Sequence, residues 1–136
     1  MKRIFFFFLL LFITGCSSTI NRGYFMTITL SSEETFGYIW RYNIEDDSVI
    51  FLSEEEYIAK NGKDISELGG DYKFSFKSVS SGNTKIYFNY INPSDNTILY
   101  SLEYEFLVDS DNKINLINKD GSYLIDNIPE PVFKNR

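Results

Sequence analysis

From Tyr100 to Val108 every second residue is large and apolar (Tyr100, Leu102, Tyr104, Phe106, Val108), with Ser101, Glu103 and Glu105 set between them. An extended chain sends alternate side chains to opposite faces, so this stretch reads as a strand with one face in a core and one in water. The pattern recurs along the chain. Tyr24, Met26, Ile28 and Leu30 share a face, as do Tyr38, Trp40, Tyr42 and Ile44. Tyr72, Phe74 and Phe76 form another set, and Ile86, Phe88 and Tyr90 a fourth. Val49 to Leu52 is a short apolar run that reads as a buried strand. The 13 Phe and 10 Tyr suit pleated, half-buried surfaces. Many short strands at this spacing predict an all-β protein, an immunoglobulin-like β-sandwich.

Turn residues separate the runs. Ser80-Ser81-Gly82-Asn83 reads as a hairpin connection and Asn92-Pro93-Ser94-Asp95-Asn96 as a longer loop. Residues 59–70 are polar and without period, long enough for a functional loop. Ser53 to Lys60 has room for one or two helical turns at most, and Glu54-Glu55-Glu56 reads as a solvated acidic face. Asp109-Ser110-Asp111-Asn112 has the opening of a calcium loop, but Ile114 stands where that loop needs Gly; it reads as a turn. Lys113 to Ile125 is expected to add a hairpin turning at Lys119-Asp120-Gly121, and Asn127 to Arg136 an irregular tail.

The N-terminus differs in kind. Lys2 and Arg3 precede Ile4 to Ile13, an unbroken run of 10 apolar residues. A membrane-spanning helix needs roughly 20, so the run is a signal-peptide core. Ile13-Thr14-Gly15-Cys16 follows it: small residues before a cysteine, the pattern of a lipoprotein processing site. The expectation is cleavage before Cys16 and attachment of lipid, palmitate included, to its thiol. Several acyl chains, at about 0.8 kcal/mol per buried methylene, hold a protein on a membrane. The division expected is 1–15 signal peptide, 16–23 lipidated tether and short first strand, 24–108 sandwich, and 109–136 C-terminal extension. The location expected is the bacterial cell membrane or outer membrane, facing periplasm or exterior.

Composition removes several function classes. The chain contains no His, and Cys16 is its one cysteine. His-dependent triads and His- or Cys-based zinc sites are therefore excluded, and no catalytic residue, metal or cofactor is expected. With Cys16 acylated the fold has no disulfide and must stand on its core. The formal charge of −6, more negative once Lys2 and Arg3 leave, argues against nucleic acid as a partner.

Three segments remain: Thr35-Phe36-Gly37-Tyr38-Ile39-Trp40, Leu68-Gly69-Gly70 before Tyr72-Lys73-Phe74, and Asn92-Pro93 after Phe88-Asn89-Tyr90. In this order they resemble the chagasin family of cysteine-peptidase inhibitors. That family's motifs are Asn-Pro-Thr-Thr-Gly-Tyr/Phe, Gly-x-Gly-Gly and Arg-Pro-Trp/Phe, on an immunoglobulin-like sandwich. The resemblance runs from about Thr19 to Val108 and includes a Trp two residues after the first motif's aromatic, here Trp40. Glu33 and Glu34 replace Asn-Pro, Phe36 replaces the second Thr, Glu67 replaces the leading Gly, and Asn92 and Ser94 replace Arg and the aromatic.

The resemblance implies reversible occlusion of a papain-like cysteine peptidase, self-secreted or from a host, by three loops. Thr35, flanked by Phe36, Gly37 and Tyr38, would sit nearest the catalytic cysteine. Leu68, Gly69 and Gly70 would line the substrate groove, and Asn92, Pro93 and Ser94 would brace the opposite wall. The residues alone read more plainly: glycines that make turns, a loop proline, and Trp40 in a sandwich core. The alternative function is an envelope or adhesive lipoprotein that uses the same sandwich as a non-inhibitory protein-binding module.

Overall fold

The computed structural model describes residues 22–33, 37–60 and 69–135. Nine strands run in chain order: β1 Arg22–Gly23, β2 Phe25–Ser32, β3 Ile39–Ile44, β4 Ile50–Ala59, β5 Gly70–Ser78, β6 Gly82–Asn92, β7 Thr97–Val108, β8 Ile114–Gly121 and β9 Val132–Lys134. They make two antiparallel sheets, one in the order β1-β8-β7-β6-β3 and the other β4-β5-β2-β9. The alternation in the sequence is the reason. Ile28, Leu30, Phe74, Phe76, Ile86, Phe88, Tyr104 and Phe106 are fully buried between the sheets. Phe88 links them, with its ring 5.1 Å from Phe74 and 5.8 Å, edge-on, from Tyr104. Each such buried side chain contributes about 1.5–3 kcal/mol, and edge-to-face aromatic pairs add about 0.5–1.5 kcal/mol. The all-β sandwich expected from the sequence is the fold observed.

Several local expectations are corrected. The fourth strand continues through Ser53 to Ala59, in place of the helical turns for which that segment has room, and most of it is exposed. It lies at a sheet edge with both faces near water, so it has no apolar period to show. Its glutamates Glu54, Glu55 and Glu56 are solvated, as expected. The Ser80–Asn83 segment is not a hairpin: β5 and β6 belong to different sheets, and the turn carries the chain across the sandwich.

The region after Val108 also differs. Lys119-Asp120-Gly121 is no turn, because β8 pairs along β7 with Lys119 opposite Tyr104 and Gly121 opposite Leu102. The tail is not irregular throughout, since β9 adds to the outer side of β2 with Phe133 opposite Met26. Between them, 122–131 strap the side of the sandwich. Tyr104 donates its hydroxyl to the Pro129 carbonyl at 2.8 Å, and Lys119 donates to the Ile128 carbonyl at 2.9 Å while pairing with Glu130. Ile114, in the same region, is fully buried. Asp109 forms the expected turn by accepting the Asp111 and Lys113 amides on one carboxylate oxygen.

Candidate functional site

All three loops spring from one end of the sandwich. Gly70 pairs with Ser32 on one side and Ala59 on the other, so the exit of β2 and both ends of the β4–β5 connection share one row. The buried Ser32 hydroxyl fastens this row, donating to the Gly70 carbonyl at 3.1 Å and accepting its amide at 3.0 Å. The Lys60 amide closes the base of the second loop on the Gly69 carbonyl at 3.2 Å.

Glycine is required here by contact. Gly69 has φ +73°, and a Cβ on it would lie 2.6 Å from the Ser32 carbonyl oxygen. A Cβ on Gly70 would lie 2.4 Å from the Ile58 carbonyl oxygen. Both are buried, and the pair packs the loop bases together.

On the facing sheet, Ile39 pairs with Ile91, and Asn92 pairs with Thr97 across the third loop. Gly37, with φ +88°, brings the first loop against the third: a Cβ there would lie 3.7 Å from Asn92 Oδ1. That oxygen accepts the Ser94 amide at 3.0 Å and the Ser94 hydroxyl at 2.7 Å, an Asx turn around Pro93. Asn96, with φ 59°, donates its amide to the Asn92 carbonyl at 2.7 Å. Asp95 accepts the Thr97 amide at 2.9 Å, a bond that holds its carboxyl below the usual aspartate range. Local bonding and proline thus stiffen the third loop before any partner arrives.

Under the loops lies a stack of aromatics. Tyr90 sits 4.9 Å from Trp40, 5.4 Å from Tyr38 and 6.0 Å from Tyr100, ring to ring. Trp40 is core, as its residue type suggested, and 2% exposed. Its indole also donates to the Ser31 carbonyl at 3.0 Å, while the Ser31 amide donates to the Tyr123 hydroxyl at 2.6 Å. The short β9 pairs only with Phe25–Thr27, so these two side chains take over where its pairing stops. Tyr123 was not legible as part of the site. It lies in the strap, 92 positions from Ser31, and no local pattern marks it.

Among the sequence-derived residues, Gly37, Pro93 and Ser94 are exposed, Tyr38 and Asn92 half-buried, and Gly69 and Gly70 buried. Cys16, Thr35, Phe36 and Leu68 lie outside the described residues. Among the described residues no three His, Cys, Asp or Glu side chains gather as a metal site. What the described residues show at this end is a set of tightly fastened loop bases and a third loop held by its own hydrogen bonds.

The profile of the Chagasin family peptidase inhibitor I42 matches residues 19–108. The chain belongs to the chagasin family. Its members are peptidase inhibitors, not enzymes. Among solved structures, the chain is similar to the cysteine protease inhibitor EhICP2 from Entamoeba histolytica. The two share 21% identity with a TM-score of 0.50, over 60% of this chain and 75% of that one. This likeness supports the shared sandwich fold. No curated protein matches the chain. The family match stops at Val108, whereas the sandwich continues through β8, the strap and β9.

Proposed function

We propose that the protein is a membrane-anchored, reversible inhibitor of papain-like cysteine peptidases that fills the active-site cleft with its three loops. The observation that carries this reading is the convergence of the loop bases at one end of the sandwich, with Gly37 against Asn92 and Gly69 against Ser32. A peptidase cleft is a groove between two walls, and neighbouring loops whose bases are fastened to a sandwich enter it at a reduced entropic cost. In this reading Thr35 approaches the catalytic thiolate without presenting a cleavable bond in register. Gly37, Pro93 and Ser94 contact the enzyme, and Gly69 and Gly70 act by fastening the second loop to the first.

The test is inhibition of several papain-like peptidases by residues 17–136. Inhibition is expected to be competitive and reversible, with the inhibitor recovered uncleaved. Ser94→Trp is expected to tighten binding by about 0.5–1.5 kcal/mol, the contribution of one added aromatic contact. The absence of an aromatic at Ser94 favours the second reading, a sandwich that binds another envelope protein without inhibiting. No inhibition at high micromolar concentration by a folded domain would decide for that reading.

Anchoring rests on Ile13-Thr14-Gly15-Cys16 behind the apolar run. Cys16→Ser is expected to move any exported protein from the detergent phase to the aqueous phase. Partitioning equal to that of the unaltered protein would refute the anchor.

A further inference from the structure

The outer face of the five-stranded sheet is polar along most of its length. Arg41 stands opposite Asn89 and Asn89 opposite Ser101; one row further, Asn43, Tyr87 and Glu103 line up, and Lys85 bonds Glu103 at 2.6 Å. At the loop end this changes abruptly. Ile39 pairs with Ile91, and Ile91 with Ile98, so three isoleucines stand in one row across β3, β6 and β7. Their neighbours Trp40 and Tyr90 point into the sandwich, so the isoleucines point away from it. Ile91, though only 8% exposed, is absent from the buried cluster between the sheets, as an outward residue covered by its row-mates would be.

A β-bulge sharpens the feature. Tyr90 is opposite Tyr100 and Ile91 opposite Ile98, which leaves Leu99 as an extra residue without a cross-strand partner. Without the bulge, one of two consecutive side chains would turn inward. With it, both Ile98 and Leu99 face solvent, at 55% and 42% exposure. Bulges beside functional loops commonly re-aim side chains in this way. The strip begins one residue from Tyr38 on β3 and one residue from Asn92 on β6, so it is continuous with the first and third loops.

We propose that Ile98 and Leu99, backed by Ile39 and Ile91, are specificity-determining contacts that dock an apolar side chain on the rim of the target peptidase's cleft, on the third-loop side. The inference rests on the inhibitor reading above and adds to it the chemistry of the wall selected. Ser94 gives the loop tip a small polar side chain; the apolar area on this side of the wedge comes from the strand beneath it. A peptidase with a charged or hydrated rim at that place leaves the strip half-wet and binds weakly, whereas an apolar rim buries it.

The experiment uses the full chain and a papain-like peptidase that the unaltered protein inhibits. Ile98→Ser and Leu99→Ser are each expected to raise Ki about tenfold by loss of buried apolar area, with the melting temperature nearly unchanged because both side chains are exposed. Ile117→Ser, equally exposed on β8 and far from the loops, serves as the control and is expected to leave Ki unchanged. Unchanged Ki for both strip variants, with the unaltered protein inhibiting, overturns this proposal and leaves the inhibitor reading standing. Failure of the unaltered protein to inhibit any papain-like peptidase removes both. A dimer that Ile98→Ser converts to monomer without changing Ki would assign the strip to a second copy of the chain and overturn the proposal equally.

Discussion

At Ser31 the amide ends on the Tyr123 hydroxyl and the carbonyl on the Trp40 indole, one residue before the buried Ser32 that fastens the second loop. Three side chains thus set the path by which the chain leaves β2 for the first loop. Tyr123→Phe keeps the ring and removes the acceptor, so the Ser31 amide loses its partner. The expected cost is about 1–3 kcal/mol by denaturant unfolding, with faster hydrogen exchange at Ser31. An unchanged exchange rate would show that the bond does not form in solution. Trp40→Ala removes both a donor and a buried ring and is expected to cost about 3–5 kcal/mol.

Burial, and then the charges of Tyr57, Tyr90 and Glu55, push Tyr72 up to about 12 from an ordinary 10.0, and burial raises Tyr104 in the same direction. The unfolded chain loses these protons first, so stability is retained below pH about 10 and falls as pH rises through the folded values. Tyr72→Phe is expected to soften that alkaline loss in unfolding curves measured between pH about 9 and 12.

Strands that bury one face were legible in the sequence; strands and turns whose identity depends on a distant partner were not. The alternation of Tyr100 to Val108 follows from burial of a single face, and that same burial produces the register observed. In β4, most of Ser53 to Ala59 meets water, which erases the period, so the sequence there is equally compatible with a short helix. Gly121 looks like a turn residue in sequence. It ends a strand, with φ +126° and the Ser101 carbonyl so close that a Cβ there would lie 2.1 Å from its oxygen. The loops were legible by residue type and order, while the burial of Gly69 and Gly70 depends on Ser32 and Ile58, far away in the chain.

The exposed glutamates of β4 line a sheet edge that no other strand covers among the described residues, and like charges discourage a second strand from adding there. Replacing Glu54, Glu55 and Glu56 together with Thr is expected to yield light-scattering aggregates at concentrations where the unaltered protein is monomeric. A clear solution of that variant would show that the edge is protected by other means.

For the whole molecule, the family-matched region and the folding unit differ in extent. A chain ending at Val108 lacks β8, the strap and β9, and it exposes the inward faces of Tyr104 and Phe106 along with one edge of β7. Its circular dichroism is expected to lose the strand signal and its cooperative melting transition. A cooperative transition in that truncated chain would show that the last strands decorate a complete core.

Gly23 pairs with Ile114 at the end of the sheet opposite the loops, and the Tyr24 amide donates to the Lys134 carbonyl at 3.1 Å. First and last strands therefore meet at the foot of the molecule. For a protein moored at Cys16, six residues reach Arg22, a stalk of at most about 20 Å. The 12 residues of β7 add about 40 Å of stiff sheet above it. Under the lipid anchor proposed above, the sandwich itself is the mast: the loop end stands clear of the lipid headgroups and faces outward, toward proteins arriving from the bulk and away from those lying flat on the same membrane.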